Sequence, residues 1–329
     1  MSRIRPQAAA LAGASALLIW PAGASETTRV GAVEPARSVY AQVVGVAQDG
    51  GLPHVGCSKT CCQAARKDPS RVQRVASLAL VAAEAGSADR VFLIDATPDF
   101  RSQLDSALGP SGFEARATGL PLDGILLTHA HVGHYAGLIY LGRESAGARG
   151  VPVHATARMA SFLSGNGPWK RLVEAGNIAL KVLEPGRGVN LAPGLTVEPL
   201  RVPHREEESD VVGYLVAGPS RRLVYLPDVD DWGRWDRDIA QIVASVDVAL
   251  LDGTFYSPRD LGTRSIAEIP HPMITATMDR LQEQVRLGRR VVFIHLNHSN
   301  PALQTDSAER MEMSRRGFEV AADGLRLSL

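Results

Sequence analysis

The feature that most constrains the fold of this 329-residue chain is a set of short apolar runs that each lead into a histidine or an aspartate. Four such runs, which we interpret as buried strands, span residues 125–127, 200–202, 223–226 and 291–294. The polar residues that follow them are His129, His204, Asp228 and His295. Strand ends that project imidazole and carboxylate groups onto one rim can hold zinc, iron or manganese rigidly. The pattern therefore predicts a metal site at one edge of the fold.

The first of these strands leads directly into a histidine-rich loop, Thr128-His129-Ala130-His131-Val132-Gly133-His134. His129 and His131 alternate, so they lie on the same side of an extended loop, and His134 starts the next helix. Three imidazoles so close together are costly to keep unless they share a cation. A polar surface loop with chance histidines is the weaker interpretation, because partner residues occur farther along the chain.

The rest of the chain alternates strands and helices. Strands are predicted at 40–46, 77–83, 90–95, 124–128, 151–154, 195–202, 211–217, 223–226, 246–251 and 290–295, and helices at 98–108, 135–141, 157–164 and 274–287. Residues 318–329 are predicted to close the chain as an edge hairpin. Two sets of strands with interspersed helices indicate a layered α/β or α+β sandwich.

Composition argues for a small-molecule substrate and against nucleic acid as a partner. Lys+Arg and Asp+Glu both number 35, so there is no basic excess to bind phosphate backbones. Aromatic residues make up only 5% of the chain, too few for a base-stacking surface. Nothing in the sequence indicates the oligomeric state.

The N-terminus has the pattern of a secretory signal peptide. Arg3 and Arg5 precede an apolar run at 8–20, which is too short to span a bilayer comfortably, and small residues follow at Ala22 and Ala24. We predict a signal peptide at 1–24, a flexible mature N-terminus at 25–38 and one domain at 39–329. The protein is then periplasmic or secreted, with no stable membrane span after processing. An uncleaved anchor is the alternative.

The three cysteines of the chain, Cys57, Cys61 and Cys62, fall within six positions. Adjacent cysteines rarely bond to each other, because the resulting ring is strained. A cluster of this kind therefore suggests a metal clip. One disulfide with a free thiol is the alternative in an exported protein.

The histidine loop resembles the H-x-H-x-D-H signature of the metallo-β-lactamase superfamily, whose later histidine, aspartate and histidine are matched in order by His204, Asp228 and His295. The resemblance implies an αββα sandwich. It also implies one metal ion held by His129, His131 and His204, and a second held by His134 and His295, with Asp228 bridging the two. Gly133 stands where the family has a metal-binding aspartate, which weakens the second site and leaves a mononuclear centre open. Asp230 or Asp231 could compensate.

Four further segments resemble a narrower group, the pyrroloquinoline quinone (PQQ) biosynthesis protein B family and the related cyclic phosphodiesterases. These segments are residues 43–53, 94–99, 251–256 and 295–301. The phosphodiesterases bind a structural zinc with a cysteine cluster and a histidine three residues past the last catalytic one. This implies a structural site of Cys57, Cys61, Cys62 and His298, with His54 as an alternative fourth ligand, although the C-x3-C-C spacing differs from theirs.

The quinone-biosynthesis proteins lack the full histidine loop, and quinone assembly is expected in the cytoplasm, so the loop and the predicted export favour hydrolysis. We expect a metal-dependent hydrolase in which metal-bound hydroxide attacks a small ester, lactone or phosphodiester. Asp228 and His271 are the predicted catalytic residues, with His271 as proton donor. Zinc is the expected cofactor, as one or two catalytic ions and one structural ion, with iron or manganese as alternatives. There are two competing hypotheses. One is an oxidative or accessory role in redox-cofactor synthesis, and the other is a non-catalytic binding protein on the same fold.

Overall fold

The computed structural model of the chain describes residues 38–83, 88–109, 112, 116–263, 265 and 267–329. The predicted signal peptide and all but the last residue of the predicted flexible N-terminus lie outside these residues. Among the residues described, no helix has the length and apolar character needed to cross a membrane.

The described residues form fourteen strands and eight α-helices. The strands are β1 Val39–Gly45, β2 Ser77–Ala82, β3 Arg90–Ile94, β4 Gly124–Leu126, β5 Val151–Thr156, β6 Ile178–Leu183, β7 Val189–Ala192, β8 Leu195–Arg201, β9 Val212–Ala217, β10 Arg222–Leu226, β11 Val248–Asp252, β12 Arg290–Ile294, β13 Glu319–Val320 and β14 Arg326–Ser328. The helices are α1 Thr60–Lys67, α2 Phe100–Leu108, α3 Val132–Tyr135, α4 Ala157–Gly165, α5 Trp169–Glu174, α6 Ile239–Ala244, α7 Ile274–Arg286 and α8 Ala308–Arg315.

The strands form two seven-stranded sheets. The first has the order β14-β1-β2-β3-β4-β5-β6, and the second has the order β13-β12-β11-β10-β9-β8-β7. In each sheet one half is antiparallel and the other half is parallel, with β3 to β6 parallel in the first and β10 to β13 parallel in the second.

Alternation along the strands explains how the layers form. In β2, Leu78 and Leu80 belong to the core shared with the second sheet, where they join residues such as Val224 of β10. The intervening Ala79 and Val81 belong to a separate core that includes buried apolar residues of α2 and α4, such as Leu104 and Leu163. Side chains that alternate between two apolar faces place a sheet in the middle of a layered fold. The predicted αββα sandwich is confirmed.

Two sequence-based expectations about elements were wrong. Residues 318–329 do not form a hairpin, since β13 pairs with β12 in the second sheet and β14 pairs with β1 in the first. The two short strands each complete a different sheet edge, so this segment ties the layers together. The helix predicted at 135–141 is instead α3 followed by a tighter 3-10 segment, Ala136–Leu141.

Strand direction brings several carboxyl ends to one edge of the molecule. In the first sheet β1, β3, β4 and β5 all run in one direction, as follows from their successive pairings. In the second sheet β8, β10, β11 and β12 likewise share a direction. The segments that follow these strands carry most of the histidines and aspartates described below.

Two tyrosines directly opposite each other on β9 and β10 provide a matched test of buried hydrogen bonding. The Tyr214 hydroxyl donates to the Leu127 carbonyl oxygen at 2.6 Å and so links the second sheet to the histidine loop. The Tyr225 hydroxyl is buried and has no hydrogen-bond partner among the described residues.

We predict that Tyr214→Phe lowers the free energy of unfolding by about 1–3 kcal/mol, because the buried Leu127 carbonyl loses its donor. Tyr225→Phe should leave that free energy unchanged or raise it by about 1 kcal/mol, because it removes an unpaired polar group. Urea denaturation of both variants measures the difference. Equal losses in the two variants would contradict the prediction.

Candidate metal centre

The six side chains predicted as ligands of the catalytic metal meet at the common edge of the two sheets. The Asp228 Oδ2 atom lies at their centre, within 4.0 Å of a ring nitrogen of each of the five histidines. The distances are 3.4 Å to His129 Nε2, 4.0 Å to His131 Nδ1, 3.8 Å to His134 Nε2, 3.2 Å to His204 Nε2 and 3.9 Å to His295 Nε2. Four of the six, His129, His131, His204 and Asp228, have ligand atoms within 4.8 Å of one another.

Buried atoms at this centre lack hydrogen-bond partners among the described residues. They are Nε2 of His129, His134 and His295, and Oδ1 of Asp228. A buried polar atom without a partner costs about 1–3 kcal/mol, so several such atoms in one place call for a shared ligand. Imidazole nitrogens with a carboxylate are the donor set that zinc and similar ions prefer. The residues therefore fit a metal ion.

The opposite ring nitrogens are held by a second set of groups. His134 Nδ1 lies 2.7 Å from Asp95 Oδ2, and His204 Nδ1 lies 2.7 Å from Asp230 Oδ1. His295 Nδ1 lies 3.1 Å from the Thr254 hydroxyl. Contacts of this kind fix the orientation of metal-binding histidines and direct their free nitrogens toward the ion.

Asp230 and Asp231, the two residues that could compensate for Gly133, are both engaged by other groups. The Asp230 carboxylate is occupied by His204 Nδ1 and by the Arg234 guanidinium, which donates to Oδ2 at 2.8 Å. Asp231 accepts the backbone N–H of Gly233 at 2.8 Å and caps a short 3-10 turn. Both carboxylates are therefore engaged away from the position that a side chain at residue 133 would take.

Asp95 supports the histidine loop through contacts with both Thr128 and His134. It follows β3 with a φ of 70°, a left-handed conformation that is uncommon for an aspartate. Its Oδ1 accepts the Thr128 backbone N–H at 2.8 Å, while Oδ2 lies beside His134. Asp95 therefore orients the loop without lying at the centre.

We predict that Asp95→Asn weakens metal affinity by about 10–100-fold, the usual cost of losing a group that orients a ligand. Competition with a chromogenic chelator measures the affinity. Asp99→Asn is the matched control, because Asp99 accepts the Val75 backbone N–H at 2.8 Å and contacts none of the five histidines in the described hydrogen bonds. An unchanged affinity in Asp95→Asn would show that the contact with His134 does not orient it.

Charges in the centre are strongly coupled. Burial alone would raise the pKa of Asp228, but His204 and His295 hold it well below its usual value. Burial and the neighbouring His134 keep the pKa of His129 well below the ordinary range, so its ring is neutral and available as a ligand. Burial also opposes protonation of His204, but Asp228 and Asp230 outweigh it and raise the pKa to about 10.

His271, the predicted proton donor, lies beside the centre. Its Nδ1 is 2.8 Å from Asp252 Oδ2 and 3.6 Å from Asp228 Oδ1. Asp252 is itself fixed by the backbone N–H groups of Thr254 and Val229, at 2.8 and 3.0 Å. Burial lowers the pKa of His271, but Asp252 more than offsets this and raises it above the usual value.

The three cysteines form a second group, with their sulfur atoms within 4.8 Å of one another. None of them is in a disulfide. Backbone N–H groups donate to two of the sulfurs, from His54 to Cys62 at 3.3 Å and from Lys59 to Cys57 at 3.4 Å. These N–H groups favour thiolates, but burial and the neighbouring cysteines raise the pKa of Cys62 to about 11.

The fourth ligand predicted for the cysteine group, His298, lies next to it but outside the sulfur grouping. The ring of His298 stacks on that of His54, with centroids 4.5 Å apart, and both rings line the same cavity as Cys57. His298 and the alternative, His54, thus both remain predictions for the fourth position.

Two residues of the site were not predicted as members of it. Asp49 Oδ1 lies 3.3 Å from His134 Nε2 and 3.5 Å from His295 Nε2. Glu207 Oε2 lies 3.3 Å from His131 Nε2, at the exposed side of the centre. Asp49 follows the apolar strand β1 just as His129 follows β4, and that repetition was the available signal.

Comparison with known proteins places this site in a family. A family model for the beta-lactamase superfamily domain matches residues 90–296. The chain belongs to the metallo-β-lactamase superfamily. Within it, the coenzyme PQQ synthesis protein B of Methylobacterium radiotolerans is 31% identical over 308 residues, covering 87% of this chain and 99% of that protein. Within the superfamily, this chain is therefore similar to PQQ synthesis protein B (PqqB).

Solved structures agree with this assignment. Zinc-bound PqqB from Methylobacterium extorquens matches with a TM-score of 0.73 and 25% identity, covering 88% of this chain and all of that one. A diphosphatase of the PhnP family matches with a TM-score of 0.61 and 20% identity, which shows the shared fold alone. The zinc in the PqqB structure and the histidine–aspartate groups of this superfamily member together support a metal ion.

Proposed function

We propose that this protein is a zinc-dependent hydrolase of a small phosphodiester, ester or lactone. The observation that carries the proposal is the convergence of five imidazoles on Asp228, with buried nitrogens that lack partners among the described residues. A binding protein that had lost its chemistry would have no need to keep this costly arrangement.

The proposed division of ligands follows the geometry. His129, His131 and His204 would hold one ion, and His134 and His295 would contribute to a second, with Asp228 between them. When bound, zinc polarises a phosphoryl or carbonyl oxygen and lowers the pKa of its water toward neutrality. Either one or two ions would supply this chemistry.

The role proposed for His271 is to hold a proton near the leaving group. Asp252 engages Nδ1 at 2.8 Å, so Nε2 is the nitrogen that is left to pass a proton to a departing oxygen. Asp252 would act through His271 by keeping the ring in one orientation, as carboxylates do for catalytic imidazoles elsewhere.

The size of the adjoining cavity supports a small substrate. A cavity of about 620 Å³ is lined by Asp49 of the centre, by Phe255 and Asn297, and by Cys57 of the cysteine group. This volume lies within the range of about 300–1,000 Å³ that is typical of small-molecule sites. A smaller cavity of about 170 Å³ is lined by His131, Arg205 and Glu207.

Glu207 should make the site selective against negative charge. Its carboxylate is 57% exposed and contacts His131, so its effect on a ligand is modest. We predict that Glu207→Gln raises kcat/KM about 2–5-fold for an anionic phosphodiester and leaves that for a neutral lactone unchanged, since exposed charge pairs contribute roughly 0.2–1 kcal/mol. Parallel assays at low and high salt test this, because added salt should remove the difference. An equal change for both substrates would contradict it.

The first test of the proposal combines metal analysis with an activity screen of the purified protein. We expect zinc in the protein as isolated, and hydrolysis of bis-p-nitrophenyl phosphate or a simple lactone that is lost in His129→Ala. His154→Ala is the matched control, because His154 lies on β5 and belongs to none of the candidate metal-binding groups. A folded protein that retains no metal would overturn the proposal.

A second candidate function is favoured by the 31% identity to PQQ synthesis proteins. In that case the protein would have an oxidative or accessory role in making a redox cofactor, with iron in the centre, since imidazole and carboxylate ligands also suit iron. Iron in the isolated protein, with no hydrolysis by the zinc-loaded form, would favour this function over hydrolysis.

A further inference from the structure

The structure shows what occupies the space next to Gly133, where the family has an aspartate. A Cβ atom built at Gly133 would lie 2.3 Å from Asp49 Oδ1 and 2.6 Å from Asp49 Cα. Both distances are far below a normal contact, so a side chain at residue 133 and the carboxylate of Asp49 exclude each other. Glycine at residue 133 is therefore what allows Asp49 to enter the centre.

The two histidines that face Asp49, His134 and His295, each contact another polar group through the Nδ1 atom of the ring. Asp95 engages His134 Nδ1 at 2.7 Å, and the Thr254 hydroxyl engages His295 Nδ1 at 3.1 Å. The Nε2 atoms of both rings point to the same Asp49 oxygen, at 3.3 and 3.5 Å. Neither approach has hydrogen-bond geometry, and all three atoms are buried without a partner among the described residues.

Charge and position together fit a cation at this point. His134 and His295 are fully buried, whereas the Asp49 side chain is 39% exposed and closes the group from the cavity side. Asp228 Oδ2 lies 3.8 and 3.9 Å from the same two Nε2 atoms, so it completes a set of two imidazoles and two carboxylates. That is a common donor set for zinc or manganese.

We propose that Asp49 replaces the missing loop aspartate as a metal ligand. The carboxylate has moved from the histidine loop to the turn after β1, and the second ion is held by Asp49, His134, His295 and Asp228. The inference rests on the proposed metal centre and gives it two ions rather than one. It also places one ligand of the second ion on the wall of the 620 Å³ cavity, where a substrate can contact it.

Manganese binding tests this directly. Thiolates do not favour manganese, so the number of Mn²⁺ ions bound per chain should report the histidine–aspartate centre and not the cysteine group. Metal-free protein is titrated with Mn²⁺ by calorimetry and examined by electron paramagnetic resonance. The wild type should bind about two ions and show the spin coupling of a close pair, since paired ions in such sites lie roughly 3.5–4 Å apart. Asp49→Ala should bind one ion and give an uncoupled spectrum.

Two further variants make the result specific. Gly133→Ala should also lose the second ion. Its methyl group would push Asp49 out of the centre although every ligand residue is still present in the chain. Asp306→Asn, at an exposed position, should behave as the wild type. One ion in the wild type, or two coupled ions in Asp49→Ala, would overturn the inference. If the metal results hold but no substrate is hydrolysed, the proposed function fails and the role of Asp49 stands.

Discussion

Replacing His271 by alanine should lower kcat/KM by about 10²–10⁴-fold for a phosphodiester whose leaving group is an alkoxide, the range expected for loss of a general acid. The effect should be much smaller for p-nitrophenolate, which leaves readily without a proton. The reason is structural. His271 lies beside Asp228 and is not a proposed metal ligand, and Asp252 holds its Nδ1 at 2.8 Å, so the ring can carry a proton for the leaving group.

The comparison between two leaving groups separates a chemical role from a structural one. A variant that merely disturbed the centre would lose the same factor with both substrates, and that result would contradict the prediction. Metal content is measured in parallel, because His271 lies 3.6 Å from Asp228 and its loss must not be confused with loss of an ion. Asp252→Asn should show the same dependence on leaving group with a smaller loss, because it removes the group that orients the ring.

The metal centre could be predicted to a large extent because strand periodicity and ligand chemistry point to the same residues. An apolar strand followed by a histidine or an aspartate identifies both the strand and the edge where it ends, as β4 with His129 and β12 with His295 illustrate. Strands with the same direction must end at the same edge of a sheet, so the meeting of these residues follows from the topology.

Asp49 could not be predicted in the same way, although it too follows an apolar strand. Its contribution depends on the distance between two turns that are more than 80 positions apart, and on the absence of a side chain at Gly133. Sequence alone identified Gly133 as a lost ligand and could not show that another carboxylate fills the space. Contacts between distant loops are set by packing, which has no local pattern.

The edge strands were missed for a different reason. β6 and β7 each end one sheet and are half-exposed, with polar residues such as Lys181 and Asn190 between the apolar ones. Strands of this kind bury only part of one face, so their apolar periodicity is weak. β13 and β14 were predicted as strands of one hairpin, and only their pairing was wrong, because pairing with two different sheets depends on which edges are open rather than on their own residues.

Loss of the cysteine site should destabilise the fold rather than change the chemistry. We predict that a Cys57→Ser, Cys61→Ser, Cys62→Ser variant unfolds more than about 6 °C below the wild type. The proposed structural zinc would contribute its binding energy to folding, and each kcal/mol corresponds to roughly 2–4 °C in a domain of this size. Cys62 is fully buried in a small cluster with Leu52 and Ala65, so the segment has little other core to hold it.

Zinc release and thiol counting distinguish this site from a simple packing effect and from a disulfide. A mercurial thiol reagent should release about one zinc per chain from the wild type and from His129→Ala, but none from the triple variant. Denatured, unreduced wild type should show all three thiols, consistent with the free cysteines of the structure. A single titratable thiol would show that two of the cysteines form a disulfide. Three thiols with no released zinc would show that the cysteines bind no metal and only pack in the core.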